Sequence, residues 1–128
     1  MVTSAPPALS AKWAALPATV PHADAAFTAA RATLLGAALA SGSEELFAEA
    51  LADRLHEPYR AEGAPLLEAV RERLPAGALG ATISGSGPTV IVWARPDDAS
   101  RCAHELSARY LDVDVLTLPV SPLGAHAL

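Results

Sequence analysis

The sequence predicts an α+β fold, an antiparallel sheet with helices packed on one face. Three observations carry that expectation. The first half of the 128-residue chain sets its larger apolar residues at helical spacing. After Gly77 the period changes, and β-rich runs flank Gly85-Ser86-Gly87-Pro88. A helical stretch then returns before a last β-rich run, so the order is three helices, strand, strand, helix, strand.

Residues 1–21 hold Pro6, Pro7, Pro17 and Pro21 without a sustained period. They read as an extended or irregular N-terminal segment, with a short strand or turn near Leu9 to Leu16. Residues 22–128 read as one domain. From Asp24, which suits a helix cap, Phe27, Ala30, Arg31, Leu34, Leu35 and Ala38 form one helical stripe ending before Gly42. Ser43 suits the N-cap of a second helix, with Glu44 and Glu45 in its first turn. That helix carries Leu46, Phe47, Ala50, Leu51 and Leu55 and should end or kink at Pro58, which lacks an N–H and clashes with the preceding turn. Pro65 suits the start of a third helix bearing Leu66, Leu67, Val70 and Leu74, closed by Pro75 and Gly77. Leu79 to Ser84 and Thr89 to Arg95 are the two strands around the glycine loop. Asp97 or Asp98 caps a helix with Ala99, Cys102, Ala103, Leu106 and Tyr110, and Val113 to Leu118 makes the final strand. Pro119 to Leu128 reads as loose.

Composition limits the function. There are 9 basic and 14 acidic residues, a formal net charge of −5, so no basic stripe exists to neutralise phosphates of a nucleic acid. Apolar stretches are short of the roughly 18 residues a membrane span needs. Hydrophobic residues make up 52%, but 30 of them are alanine and 36 are larger, enough for one core and not two. No signal peptide is legible at Met1 to Pro7, and a single cysteine, Cys102, excludes a disulfide framework and multi-cysteine zinc. The expected address is the cytoplasm.

Two segments are candidates for chemistry. In Ser84-Gly85-Ser86-Gly87-Pro88 the glycines permit close backbone approach, and successive N–H groups can cradle an anion. No lysine follows, as a Walker loop requires, and no helix follows, as a dinucleotide fingerprint requires. The same residues also suit a plain strand connection. The second segment, Asp53-Arg54-Leu55-His56-Glu57-Pro58-Tyr59-Arg60, presents His56 and Arg60 at a helix break. A guanidinium there can bind a carboxylate or phosphate in two-pronged fashion, or Glu57 and Arg60 can simply pair in solvent. His22 and Asp24 are a poor metal site, Cys102 reads as core, and His104 and His126 carry no assignment.

Taken together, Leu16-Pro17, Val20-Pro21-His22-Ala23-Asp24-Ala25-Ala26-Phe27, the Asp53–Arg60 segment and Gly80-Ala81-Thr82-Ile83-Ser84-Gly85-Ser86-Gly87-Pro88 resemble the C-terminal half of the homoserine kinases, a branch of the GHMP small-molecule kinases. The resemblance runs over roughly residues 9–126, including Gly124-Ala125. It implies the ferredoxin-like C-terminal domain of that family and ATP- and magnesium-dependent phosphorylation of L-homoserine on the route to threonine. By position, Arg60 resembles the arginine that holds the substrate carboxylate, with His56 beside it, orienting Arg60 or the substrate or merely packing. Ser84, Gly85, Ser86 and Gly87 resemble the loop lining the phosphate-transfer site. No catalytic or metal-binding residue is assigned. Thr28 stands where the resemblance leads one to expect asparagine. The family's phosphate loop, Pro-x-x-x-Gly-Leu-Gly-Ser-Ser, does not occur in these residues. The expectation is therefore a chain lacking the N-terminal ATP-binding domain, inactive alone, with that domain as its partner and pairing into homodimers as in many relatives. The C-terminal domain of another GHMP kinase and a non-catalytic small-molecule-binding or interaction module are the alternatives.

Overall fold

The computed structural model of the chain describes residues 16–121. The strand or turn expected near Leu9 to Leu16 lies almost wholly outside the described residues, as do Gly124-Ala125 and His126. The elements are α1 (His22–Ser41), α2 (Glu44–Ala50), α3 (Glu57–Arg60), a single 3-10 turn (Ala61–Gly63), α4 (Pro65–Glu72), β1 (Ala78–Ile83), β2 (Val90–Ala94) and α5 (Pro96–Arg109). The α+β class holds, with an antiparallel two-stranded sheet among the described residues.

Helix α1 begins two residues before Asp24. The Pro21 carbonyl accepts from the N–H groups of Asp24 and Ala25, and no side chain caps the end. Asp24 therefore sits inside the first turn, where a carboxylate suits the helix dipole, and faces Arg54 at 3.5 Å. The helix stops as expected at Gly42, whose N–H still donates to the Ala38 carbonyl and whose φ of 70° turns the following chain out of the helix. Ser43 is the cap of α2, accepting the Leu46 N–H at 3.2 Å.

Beyond α2 the structure departs from the sequence reading. The helix ends at Ala50 and does not run on to Leu55. The cause is local competition: one carboxylate oxygen of Asp53 accepts from the N–H groups of Leu55, His56 and Glu57 at 3.1, 2.7 and 2.9 Å, drawing the backbone out of the helix. Pro58 then lies in the first turn of α3, where a missing N–H costs nothing. It opens a helix and does not close one.

Side chains alternate along each strand, so Ala81, Ile83, Val90 and Val92 share one face and Gly80, Thr82, Ile91 and Trp93 the other. On the first face, Ala64, Leu67, Val70 and Leu106 join Ala81, Ile83 and Val90 in the buried core, which brings α4 and α5 onto the sheet. On the other, Trp93 donates its indole N–H to Thr82 and meets Phe47 of α2 edge-on, with centroids 5.4 Å apart. Gly80 allows the chain after α2 to approach closely: a Cβ there would come within 2.6 Å of the Leu51 methyl.

The strand expected at Val113 to Leu118 does not form among the described residues. Val115 packs on the core, while Leu116 and Leu118 are exposed. Alternating apolar residues specify a face to bury but not a ladder partner, and here packing of one side chain holds the segment. An apolar cleft lies between this segment, β2 and α5, lined by Val92, Cys102, Leu106, Tyr110 and Val115 among others. Burial pushes the Cys102 thiol up, in keeping with the core role expected of it. Among the described residues no helix is long and apolar enough to cross a membrane.

Candidate functional site

The loop between β1 and β2 is a tight turn. Gly87 donates its N–H to the Ser84 carbonyl at 3.0 Å, and Ser84 donates to the Thr89 carbonyl at 2.8 Å. Gly85 and Gly87 have φ of 57° and 70°, values that L side chains rarely adopt, so the turn requires glycine at both. The loop is thus a strand connection whose conformation depends on its two glycines. The N–H of Gly87 is committed to the turn; those of Gly85 and Ser86 meet no acceptor among the described residues.

Arg60 closes the distance between the two candidate segments. It ends α3, and its Nη1 donates to the Gly85 carbonyl at 2.7 Å across 25 positions of sequence. Its Nε is buried and has no partner among the described residues. The guanidinium is therefore tethered to the loop by one nitrogen, with the rest of its planar fork unspent. That is the donor pattern a carboxylate or phosphate would complete.

His56 precedes α3 and does not bond to Arg60. Its Nε2 lies 3.9 Å from the Asp53 carboxylate, and its Nδ1 is buried without a partner among the described residues. The Asp53 carboxyl is shaped by opposing influences. Burial acts upward, but the N–H groups of Glu57, His56 and Leu55, with the His56 ring, prevail and hold it below the usual carboxylate range. A depressed folded value contributes stability above the unfolded value of about 3.9, and that contribution is lost as pH falls through the folded value. Asp53→Ala should accordingly destabilise the domain by about 1–2 kcal/mol at neutral pH. Urea denaturation should show the deficit shrinking in acid, as the wild-type carboxylate is itself protonated; a deficit independent of pH would contradict the assignment.

The expected loose pairing of Glu57 with Arg60 is not what forms. Glu57 is only 6% exposed. It accepts from Arg71 Nη2 at 2.6 Å and from the Ile83 N–H at 3.0 Å, just ahead of the glycine loop. Arg71 also donates to the Ala81 carbonyl from Nε and Nη2 at 3.1 and 2.9 Å. Sequence reasoning missed both roles. The available signal was Glu57-Pro58 itself: a proline in a first turn makes the preceding residue a helix start that can face inward.

Thr28, where asparagine was expected, accepts the Arg54 N–H through Oγ1 at 3.1 Å. The Phe27 ring next to it lies under the guanidinium groups of Arg54 and Arg31, at 3.9 and 4.8 Å. These contacts fasten α1 to the segment that leads into α3.

Comparison with known proteins follows the same line. Residues 34–112 match the family described as GHMP kinases C terminal. A homoserine kinase from Gloeobacter violaceus is 45% identical over 120 residues, which is 93% of this chain and 40% of that protein. One from Thermus thermophilus is 46% identical over 95 residues, covering 73% of this chain and 32% of that one. The crystal structure of homoserine kinase from Cytophaga hutchinsonii aligns with a TM-score of 0.74 at 23% identity, over 86% of this chain and 36% of that chain, and shares the fold. The chain thus spans at most about 40% of the length of these relatives.

Proposed function

The chain belongs to the GHMP kinase family, as a C-terminal domain of that family, and from this premise we propose that it forms the acceptor side of a homoserine kinase active site. We read residues 22–128 as that domain, with residues 1–21 leading into it. The reaction is transfer of the γ-phosphoryl group of ATP to the side-chain hydroxyl of L-homoserine, giving O-phospho-L-homoserine and ADP. The observation that carries the proposal is the bond from Arg60 to the Gly85 carbonyl. It fixes a carboxylate-reading guanidinium beside a glycine turn suited to a phosphate. An amino acid whose carboxylate and hydroxyl are a few carbons apart can engage both.

In this reading Arg60 holds the substrate carboxylate, and His56 stands at the rim of the same site. The Gly85 and Ser86 N–H groups form one wall of the phosphate path, and the residues present fit that limited share of an ATP site. Among the described residues no cluster of three acidic, histidine or cysteine side chains gathers to hold a metal. By family resemblance, we assign the nucleotide loop, and the magnesium that would neutralise its phosphates, to the N-terminal half of the working enzyme, in the cytoplasm where ATP and amino acids meet. That two copies pair rests on the family alone, and sedimentation of the protein checks it.

The test is a chimera. This chain, exchanged for the corresponding domain of the Gloeobacter violaceus homoserine kinase, should sustain ADP release that depends on L-homoserine and exceeds that with mevalonate or galactose. A folded chimera that phosphorylates another alcohol and leaves homoserine untouched would overturn the substrate assignment.

A further inference from the structure

In an antiparallel pair, alternate residues turn their N–H and C=O groups away from the partner strand. On β1 those residues are Ala81 and Ile83, and Gly85 continues the same parity into the loop. Left open, this edge would leave polar backbone groups beside the core without partners. Three of these groups are instead met by charged side chains. Arg71 donates to the Ala81 carbonyl, Glu57 accepts from the Ile83 N–H, and Arg60 donates to the Gly85 carbonyl. Glu57 and Arg71 are joined to each other at 2.6 Å. The three side chains form a ladder that supplies to β1 part of what a neighbouring strand would.

We propose that Glu57 is a positioning residue of the site: through Ile83 and Arg71 it fixes α3 against β1 and so holds Arg60 at the glycine loop. The inference rests on the reading of Arg60 as the carboxylate-binding group. Helix α3 has only four residues, too few to be stable by itself, so its place depends on contacts made at its ends. Its N-terminal contact is Glu57, and its C-terminal one is Arg60. Glu57 is buried and does not face a ligand, yet it meets the residue immediately before Ser84. Releasing it frees the helix to shift, and a displacement of about 1 Å at a recognition group suffices for roughly a hundredfold loss of function. A buried carboxylate is an expensive way to gain stability alone, because an apolar side chain of similar volume often serves as well. A role in fixing geometry accounts for a charge at this position.

Glu57→Gln tests this on the full chain, since glutamine can still accept from Ile83 but no longer offers Arg71 a charge. The measurements are the NMR signal of the Arg60 Nε–H, amide exchange at Ile83 and Gly87, and calorimetric affinity for L-homoserine. Val70→Ala, a core change outside the ladder, is the control for general loosening. We expect Glu57→Gln to weaken homoserine binding about tenfold, to broaden the Arg60 signal and to speed exchange at Gly87, with Val70→Ala leaving all three near wild type. A folded Glu57→Gln protein with an unchanged Arg60 signal and unchanged exchange overturns the proposal, whatever happens to affinity. Should the wild type bind no homoserine while Glu57→Gln still broadens Arg60, the substrate reading fails and the positioning role stands. If Glu57→Gln does not fold, Arg71→Lys serves instead: it keeps the charge, loses the fork on Ala81, and should shift the same Arg60 signal, failing which the ladder has no positioning role.

Discussion

Leu67→Ala should remove about 3–5 kcal/mol of folding stability, enough to halve that of a typical domain. Leu67 is 1% exposed and, with Val70, is one of the two largest fully buried side chains among the described residues. It packs in the cluster where α4 meets Ala81, Ile83 and Val90 on the inner face of the sheet and Leu106 of α5. Truncation removes transfer free energy and leaves a cavity that helix and sheet, each held by its own hydrogen bonds, cannot collapse to fill. The adjacent Leu66 is only partly buried, and its truncation should cost markedly less. Urea denaturation of the two variants measures the difference. Equal losses would mean that the face of α4 turned to the sheet is not the one the structure shows.

That face was legible in the sequence, and so were the strands. The β-rich runs at Leu79 to Ser84 and Thr89 to Arg95 fall within a residue or so of β1 and β2, because Gly-Ser-Gly-Pro followed by a nearly unbroken apolar run leaves few alternatives. That a helix breaks before Arg60 was legible, but neither the place of the break nor its cause was. Periodicity carried the helix to Leu55, whereas a single carboxylate, Asp53, takes three N–H groups and ends it earlier. Competition of this kind leaves no mark on hydrophobic spacing. The last strand failed for a related reason: Val113 to Leu118 has the composition of a strand, but composition supplies no neighbour.

The site divides in the same way. Arg60 and the glycine loop each stood out in the sequence, one as a cation at a helix break, the other as a pair of glycines between strands. Nothing in local pattern joined them, since the bond from Arg60 to Gly85 spans 25 positions. The resemblance to homoserine kinases joined them as a motif, and the fold joins them as a contact. Glu57 and Arg71 lie 14 positions apart on separate helices, and Glu57 had an obvious nearer partner in Arg60. Proximity in sequence therefore pointed to the wrong pair. The edge of β1 decides the matter, because the Ala81 carbonyl and the Ile83 N–H need partners and Arg71 and Glu57 supply them.

Arg60→Ala should lower kcat/KM for L-homoserine by roughly two to three orders of magnitude in an active chimera, the value of about 3–4 kcal/mol that losing a charge-assisted, two-pronged carboxylate contact implies. The loss should fall mainly on KM for homoserine, with KM for ATP less affected, because the guanidinium serves the acceptor and reaches the phosphate side only through Gly85. Arg60→Lys separates the two duties. An ammonium on a flexible stem can donate to the Gly85 carbonyl or meet a carboxylate, but it cannot present a planar fork to both. Lysine should therefore restore little of the lost activity even though the charge is kept. Full activity in the lysine variant would show that charge alone suffices, and the loop-tethered geometry would lose its place in the argument. An alanine variant with unchanged KM for homoserine would remove Arg60 from substrate binding altogether and leave its bond to the loop as a purely structural one.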